Sequence, residues 1–113
     1  MRIGTRKART VCIVNAAGRL VLGDGEKELR TRLSALLAEG ERRFVFNLDG
    51  LTAIDSAGVG EIVACYQRAA ESAAVMKIAL GPEGQVRRVF ELSGLDRAIE
   101  VFDEEQQAVA SFS

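Results

Sequence analysis

The residues most able to carry chemistry lie in one short segment, Ile54-Asp55-Ser56-Ala57-Gly58-Val59-Gly60. The segment follows an apolar run, Phe44 to Leu48, which predicts a buried strand and then a short turn. Ser56 then stands where an amphipathic helix begins. A hydroxyl at that place can cap the helix, receive a phosphoryl group from another enzyme, or act as a nucleophile. These three possibilities differ in what else the chain must supply.

The first possibility is that Ser56 only caps the helix. Its hydroxyl would accept a hydrogen bond from an amide two or three residues further on, which is worth about 1 kcal/mol. The Asp55 carboxylate would favour the positive end of the helix dipole. Gly58 and Gly60 would let the first turn pack closely on the sheet. This reading assigns the segment a structural role alone.

The second possibility is that a partner enzyme phosphorylates Ser56. A helix N-terminus tolerates a phosphoryl group because it offers free amides and a favourable dipole. A phosphoserine carries about -1.5 to -2 charges at neutral pH. Beside Asp55 on a contact surface, that charge would repel an acidic partner and add a desolvation cost. Such a switch needs no catalytic residue in this chain.

The third possibility, a nucleophilic Ser56, needs a base that the sequence does not offer nearby. The chain has no histidine, which excludes Ser-His and Cys-His pairs and every histidine-ligated metal site. Lys7, Lys27 and Lys77 are its only lysines, and all are distant from Ser56 in sequence. The G-x-S-x-G, P-loop and G-x-G-x-x-G patterns are absent. The sequence therefore predicts a protein that is not an enzyme and holds no cofactor or metal.

Length and charge limit the remaining classes. The 113 residues predict one domain over residues 1–113, and the formal net charge of -1 does not favour nucleic-acid or membrane-surface binding. Cys12 and Cys65 fall among apolar neighbours without metal-ligand spacing, so we expect free buried thiols and a cytoplasmic setting. No apolar run reaches transmembrane length and no signal peptide is evident, so we expect no membrane insertion.

Hydrophobic periodicity and breaker residues predict the elements that must position Ser56. The predicted α/β fold has a small mixed sheet of four or five strands with alternating helices. Asp24 is the expected cap of the first helix, Pro82 lies near the start of the third, and Asp103 is the expected cap of the last. In the helix after Ser56, the predicted buried face includes Val59 and Ile62 but not Glu61. The expected strands span residues 2–7, 10–16, 44–48, 75–80 and 99–102, and the expected helices 25–39, 56–72, 82–93 and 104–112.

The ordered motifs of the chain resemble the STAS family, whose best-known members are bacterial anti-sigma factor antagonists. The main match is Asp55-Ser56-Ala57-Gly58-Val59-Gly60, which is similar to the family's Asp-Ser-[Ser/Thr/Ala]-Gly-aliphatic-Gly segment. Supporting matches are Gly18-Arg19-Leu20 and Phe90-Glu91-Leu92-Ser93-Gly94-Leu95. The chain has arginine and valine in Gly18-Arg19-Leu20-Val21, where such antagonists often carry acidic residues.

The resemblance implies a STAS-like single domain that works as a partner-switching regulator of transcription. In such systems the unphosphorylated antagonist binds an anti-sigma factor with serine kinase activity, the kinase phosphorylates the antagonist, and a phosphatase reverses this. The family's phosphoacceptor falls on Ser56. The implied partner-binding residues are Asp55, Ser56, Ala57, Gly58 and the exposed side of the following helix, including Glu61.

Other STAS domains suggest an alternative. Some belong to ABC-type lipid transporters, where they dock on the ATPase and are not necessarily switched by phosphate. In that case Ser56 would only cap its helix.

Overall fold

Strands and helices alternate along the chain after an initial hairpin. The computed structural model describes residues 1–25 and 27–113. The strands are β1 (Arg2–Ala8), β2 (Val11–Leu20), β3 (Arg43–Ile54), β4 (Val75–Ala79) and β5 (Val101–Phe102). The helices are α1 (Glu28–Ala38), α2 (Ser56–Glu71), α3 (Gln85–Ser93), α4 (Leu95–Ala98) and α5 (Glu105–Ala110).

The strands form one mixed sheet in the order β1-β2-β3-β4-β5. β1 is antiparallel to β2, and each later strand is parallel to its neighbour. Parallel neighbours need a crossover segment, which α1, α2 and the α3–α4 pair supply. The predicted mixed sheet with alternating helices is therefore confirmed.

Alternation of side chains across the sheet divides the core in two. On one face, strand residues such as Val14, Phe46 and Ile78 pack with Leu33 of α1 and Ile62 of α2, all fully buried. On the opposite face a smaller cluster lies beneath α5: Val11, Ile13, Val45, Ala79 and Ala108. The larger core holds α2, and with it Ser56, against the end of β3.

Several predicted boundaries differ from the structure. β1 continues through Ala8, so the hairpin turn follows that residue, and Arg9 takes a left-handed φ of 58°. β3 does not stop at Leu48 but continues to Ile54, because β2 beside it also continues and pairs Leu20 with Ile54. The last strand is shorter than predicted and spans only Val101–Phe102, because Ile99 is the C-cap of α4 and donates its N–H to the Leu95 carbonyl at 2.9 Å.

The three proposed helix starts are also corrected. α1 has Lys27, not Asp24, at its N-cap, and residue 26 of its predicted first turn lies outside the described residues. α3 begins three residues after Pro82, because Gly84 has a φ of 100° that no continuing helix could adopt. The N-cap of α5 is Glu104, while Asp103 forms an ion pair with Arg87 at 3.3 Å.

Both cysteines are free and buried, as predicted. Burial raises the pKa of the Cys65 thiol to about 12, and the nearby Glu61 carboxylate adds to the rise. Within the described part of the chain, no helix is both long and apolar enough to cross a membrane.

Candidate functional site

The site begins where β3 passes into α2. Ile54 ends the strand beside Leu20 of β2, and the Asp55 N–H donates to the Leu20 carbonyl at 3.4 Å. Asp55 is still extended, with φ -120° and ψ -171°, and the next residue is already helical. The register between β2 and β3 therefore fixes which residue starts α2.

Asp55, not Ser56, is the N-cap of α2. Its Oδ1 accepts the Gly58 N–H at 2.9 Å, and its Oδ2 accepts the Leu22 N–H at 3.0 Å. These two amides hold the pKa of the Asp55 carboxyl below its usual range, since they stabilise the charged form. The predicted capping bond from Ser56 is thus wrong, because the strand ends at Ile54, one residue earlier than that role requires.

Ser56 is the first residue of α2 and is exposed. It lies on an open groove of about 460 Å³ between α2 and α3. The groove is lined mainly by apolar side chains: Ile54, Val59, Val89 and Leu92, with Asp55, Ser56 and Ser93 as its polar residues. The hydroxyl is therefore open to solvent at the rim of an apolar surface.

Gly58 allows this close meeting of strand and helix. A Cβ built on Gly58 would lie 2.1 Å from the Leu20 carbonyl oxygen and 2.7 Å from Cγ1 of Ile54. Only a residue without a side chain fits between these atoms. Gly58 is buried, so this predicted partner-binding residue does not itself lie on the surface.

Glu61 is also buried, and its predicted place on the exposed side of α2 is wrong. Only 3% of the residue is accessible, and its carboxylate forms an ion pair with Arg30 of α1 at 2.8 Å. The buried stripe of α2 is Gly58, Glu61, Ile62, Cys65 and Ala69. The fold thus brings Asp55, Ser56 and the half-buried Ala57 together at the surface, whereas Glu61 points at α1.

Sequence reasoning missed two exposed leucines near the site. Leu22 is 73% exposed, in a turn whose backbone is bonded to Asp55. Leu92 is 80% exposed on the groove. The available signal for Leu22 was an apolar residue directly before the breaker cluster Gly23-Asp24-Gly25.

The contacts of the lysines and the placement of metal-binding side chains bear on whether Ser56 could act as a nucleophile. Lys7 bonds to Glu41 and Lys77 to Ser111, so two of the three lysines are engaged elsewhere. Among the described residues, no group of three or more histidine, cysteine or acidic side chains is placed to hold a metal ion.

Comparison with known proteins gives relatives that include anti-sigma factor antagonists. A protein described as an anti-sigma F factor antagonist from Lysinibacillus sphaericus is 37% identical over 70 residues, which are 61% of this chain and 59% of that protein. The crystal structure of an anti-sigma factor antagonist from Mycobacterium paratuberculosis has a TM-score of 0.83 at 19% identity, covering 97% of this chain and 92% of that one.

A third comparison is with the Bacillus cell fate determinant SpoIIAA in its phosphorylated form. It has a TM-score of 0.68 at 24% identity, covering 99% of this chain and 100% of that one. The family model of the STAS domain matches residues 2–108. This match agrees with the mixed sheet and with the Asp-Ser pair at the start of α2. It shows that the chain belongs to the STAS domain family.

Proposed function

We propose that this protein is a cytoplasmic anti-sigma factor antagonist whose contact surface is switched by phosphorylation of Ser56. In the unphosphorylated state it binds an anti-sigma factor with serine kinase activity and thereby regulates transcription. The kinase transfers the γ-phosphoryl group of ATP to the Ser56 oxygen, which loses its proton, and a phosphatase later hydrolyses the phosphoester. The chain itself contributes no catalytic residue.

The observation that carries this proposal is the exposed Ser56 at the rim of an apolar groove. Its neighbour Asp55 already satisfies the Gly58 amide, so the serine hydroxyl is not needed as the N-cap. The helix can therefore stay folded whether or not the hydroxyl is modified. In this proposal the backbone of the contact surface stays fixed, and only the Ser56 side chain changes between the two states.

The groove explains how one phosphoryl group would change binding. An apolar surface gains free energy when a partner covers it, in proportion to the area removed from water. A phosphoserine would place about -1.5 to -2 charges at the rim of that surface, next to the Asp55 carboxylate. Covering it would then require the removal of water from two adjacent anions, which opposes docking.

The predicted partner-binding residues divide by position within this proposal. Asp55, Ser56 and Ala57 form the contact surface. Gly58 and Glu61 are buried and shape that surface from below, through the turn and through α1. The apolar contact area comes from α3 as well, where Val89 and Leu92 line the groove.

The test is phosphorylation in vitro by each anti-sigma-type kinase encoded in the same genome, with ATP and detection by intact mass. We expect wild type to gain one phosphoryl group and Ser56→Ala to gain none. Ser93→Ala is the matched control, because Ser93 is exposed on the same groove, and it should be modified like wild type. Equal modification of Ser56→Ala would make the site wrong, and no modification by any such kinase would overturn the switch.

Binding of the phosphate mimic separates this function from docking on a transporter ATPase. We expect Ser56→Asp to lose the kinase in a pull-down that retains wild type. If Ser56→Asp binds as wild type does and both retain an ABC ATPase, the groove serves a constitutive contact instead.

A further inference from the structure

Glu61 is a buried acid that the proposed switch does not itself use. It lies in the second turn of α2 and is 3% exposed. Its Oε1 accepts from Arg30 Nη2 at 2.8 Å, and its Oε2 accepts from the Arg30 backbone N–H at 3.1 Å. The carboxylate therefore binds both the side chain and the backbone of one residue in α1.

The backbone contact makes Glu61 a cap for α1. The first four amides of a helix have no acceptor within the helix, and Arg30 is the third residue of α1. Lys27, at the N-cap, provides no side-chain capping bond among the described contacts of this turn. Glu61 thus supplies from a neighbouring helix the acceptor and the negative charge that a helix N-terminus favours.

A second contact from the same part of the chain holds the segment that precedes α1. Asp55 Oδ2 accepts the Leu22 N–H at 3.0 Å. Around Leu22 the chain forms a closed turn, since Val21 and Asp24 exchange backbone hydrogen bonds of 3.2 and 2.9 Å. We call residues Val21–Gly25 the Leu22 turn. Asp55 holds this turn at Leu22. The Glu28 N–H donates to the Gly25 carbonyl at 3.2 Å, which joins the turn to the first residues of α1, where Glu61 binds.

We propose that Glu61 is a positioning residue that, with Asp55, holds the Leu22 turn so that Leu22 is presented beside Ser56 to an apolar pocket on the partner kinase. This inference rests on the proposed function. Leu22 is 73% exposed, and its amide lies 3.0 Å from the carboxylate that precedes Ser56, so its turn continues the proposed contact surface. The loop after β2 would then offer the partner an apolar contact.

Fixing the turn in advance matters for affinity. A side chain that must be ordered during docking loses conformational entropy, and a preorganised one avoids that cost. If the Glu61–Arg30 pair were only structural, its loss would change the stability of the fold but not how tightly the partner binds Leu22. The two cases therefore differ in dissociation rate and in local amide exchange.

The test uses three variants of α2. Glu61→Leu fills the same space without an acceptor, and we expect it to fold, because Arg30 is 50% exposed and can be solvated. Glu61→Gln keeps an oxygen that can accept the Arg30 amide. Glu71→Leu, the same change at the exposed end of α2, is the matched control.

The first measurement is hydrogen exchange of the Leu22 and Arg30 amides by NMR, which requires no partner. We expect Glu61→Leu to speed both amides about tenfold, Glu61→Gln to fall between Glu61→Leu and wild type, and Glu71→Leu to match wild type. Unchanged exchange of the Leu22 amide in Glu61→Leu would overturn the positioning role.

The second measurement is dissociation from the kinase that phosphorylates wild type. We expect Leu22→Ala and Glu61→Leu each to dissociate about tenfold faster, which corresponds to about 1.4 kcal/mol. If Leu22→Ala dissociates at the wild-type rate, Leu22 does not contact the kinase as proposed, even if the exchange result holds. If no kinase binds wild type, the proposed contact of Leu22 is overturned together with the proposed function. The exchange data still decide whether Glu61 positions the Leu22 turn.

Discussion

At the residue scale, Asp55 and Ser56 divide two tasks that one side chain could not perform together. Both Asp55 oxygens are occupied, one by the Gly58 amide and one by the Leu22 amide. Asp55 therefore caps α2 and ties the loop after β2 to it. Ser56, one residue later, is left exposed. The proposed modification would then change the surface without removing a bond that the fold needs.

The pH dependence of stability tests the role of Asp55. Because its folded pKa is lowered below the unfolded value of about 3.9, its contribution is complete above that value and is lost as the pH falls through the folded pKa. Asp55→Asn retains one acceptor oxygen for two amides and has no charge. We expect it to be less stable than wild type at pH 7 and to approach wild type as the pH falls through the folded pKa of Asp55. Urea unfolding of both proteins across this range is the measurement, and a constant difference in stability would contradict the prediction.

The sequence identified the Asp-Ser pair but not which residue caps the helix. Aspartate and serine are both good N-caps, so local preference does not choose between them. The choice depends on where β3 stops, which is set by its pairing with β2 as far as Leu20 and Ile54. That pairing joins residues 34 apart and has no signature in the local sequence.

At the element scale, the sequence predicted the order and type of the main elements but not always which face of a helix is buried. α2 was predicted over residues 56–72 and extends from Ser56 to Glu71. Its buried stripe is turned by about one residue relative to the prediction, because Glu61 is neutralised by Arg30 rather than solvated. An ion pair between two helices can bury a charged residue that hydropathy places outside, and only the tertiary arrangement reveals it.

Two glycines in the first turns of α2 should respond in opposite ways to alanine. In Gly58→Ala the new Cβ would lie 2.1 Å from the Leu20 carbonyl, so strand and helix must separate. We expect a loss of about 2–3 kcal/mol or more in the free energy of unfolding. Gly60 is the control, because a Cβ there meets no atom of the described residues within 4 Å and alanine favours helix by about 0.5–1 kcal/mol. Chemical denaturation measures both, and equal effects would contradict this account of the turn.

At the scale of the whole molecule, the sheet is covered differently on its two faces, and its two ends offer different surfaces. α1 to α4 cover the larger core, while α5 covers the smaller one. Lys77 supports α5 by donating to Ser111 Oγ at 2.8 Å, with its Nζ 4.3 Å from the centre of the Phe112 ring. Such long-range contacts join parts of the chain that local patterns treat separately, which is why sequence reasoning predicted the elements better than their surfaces.

Two exposed apolar residues at opposite ends of the sheet can decide which end the partner uses. Leu92 is 80% exposed on the groove beside Ser56, and Val75 is 50% exposed at the start of β4, which pairs with the opposite end of β3 from Ser56. Replacing either with lysine puts a charge where the side chain is already exposed to solvent. We therefore expect the stability of each variant to stay within about 0.5 kcal/mol of wild type. Leu92→Lys should weaken binding of the anti-sigma kinase at least about tenfold, since covering the groove would bury the ammonium, whereas Val75→Lys should bind as wild type. Titration calorimetry with the unphosphorylated proteins measures this difference directly. Loss of binding in Val75→Lys but not in Leu92→Lys would move the contact surface to the other end of the sheet and leave Ser56 outside it.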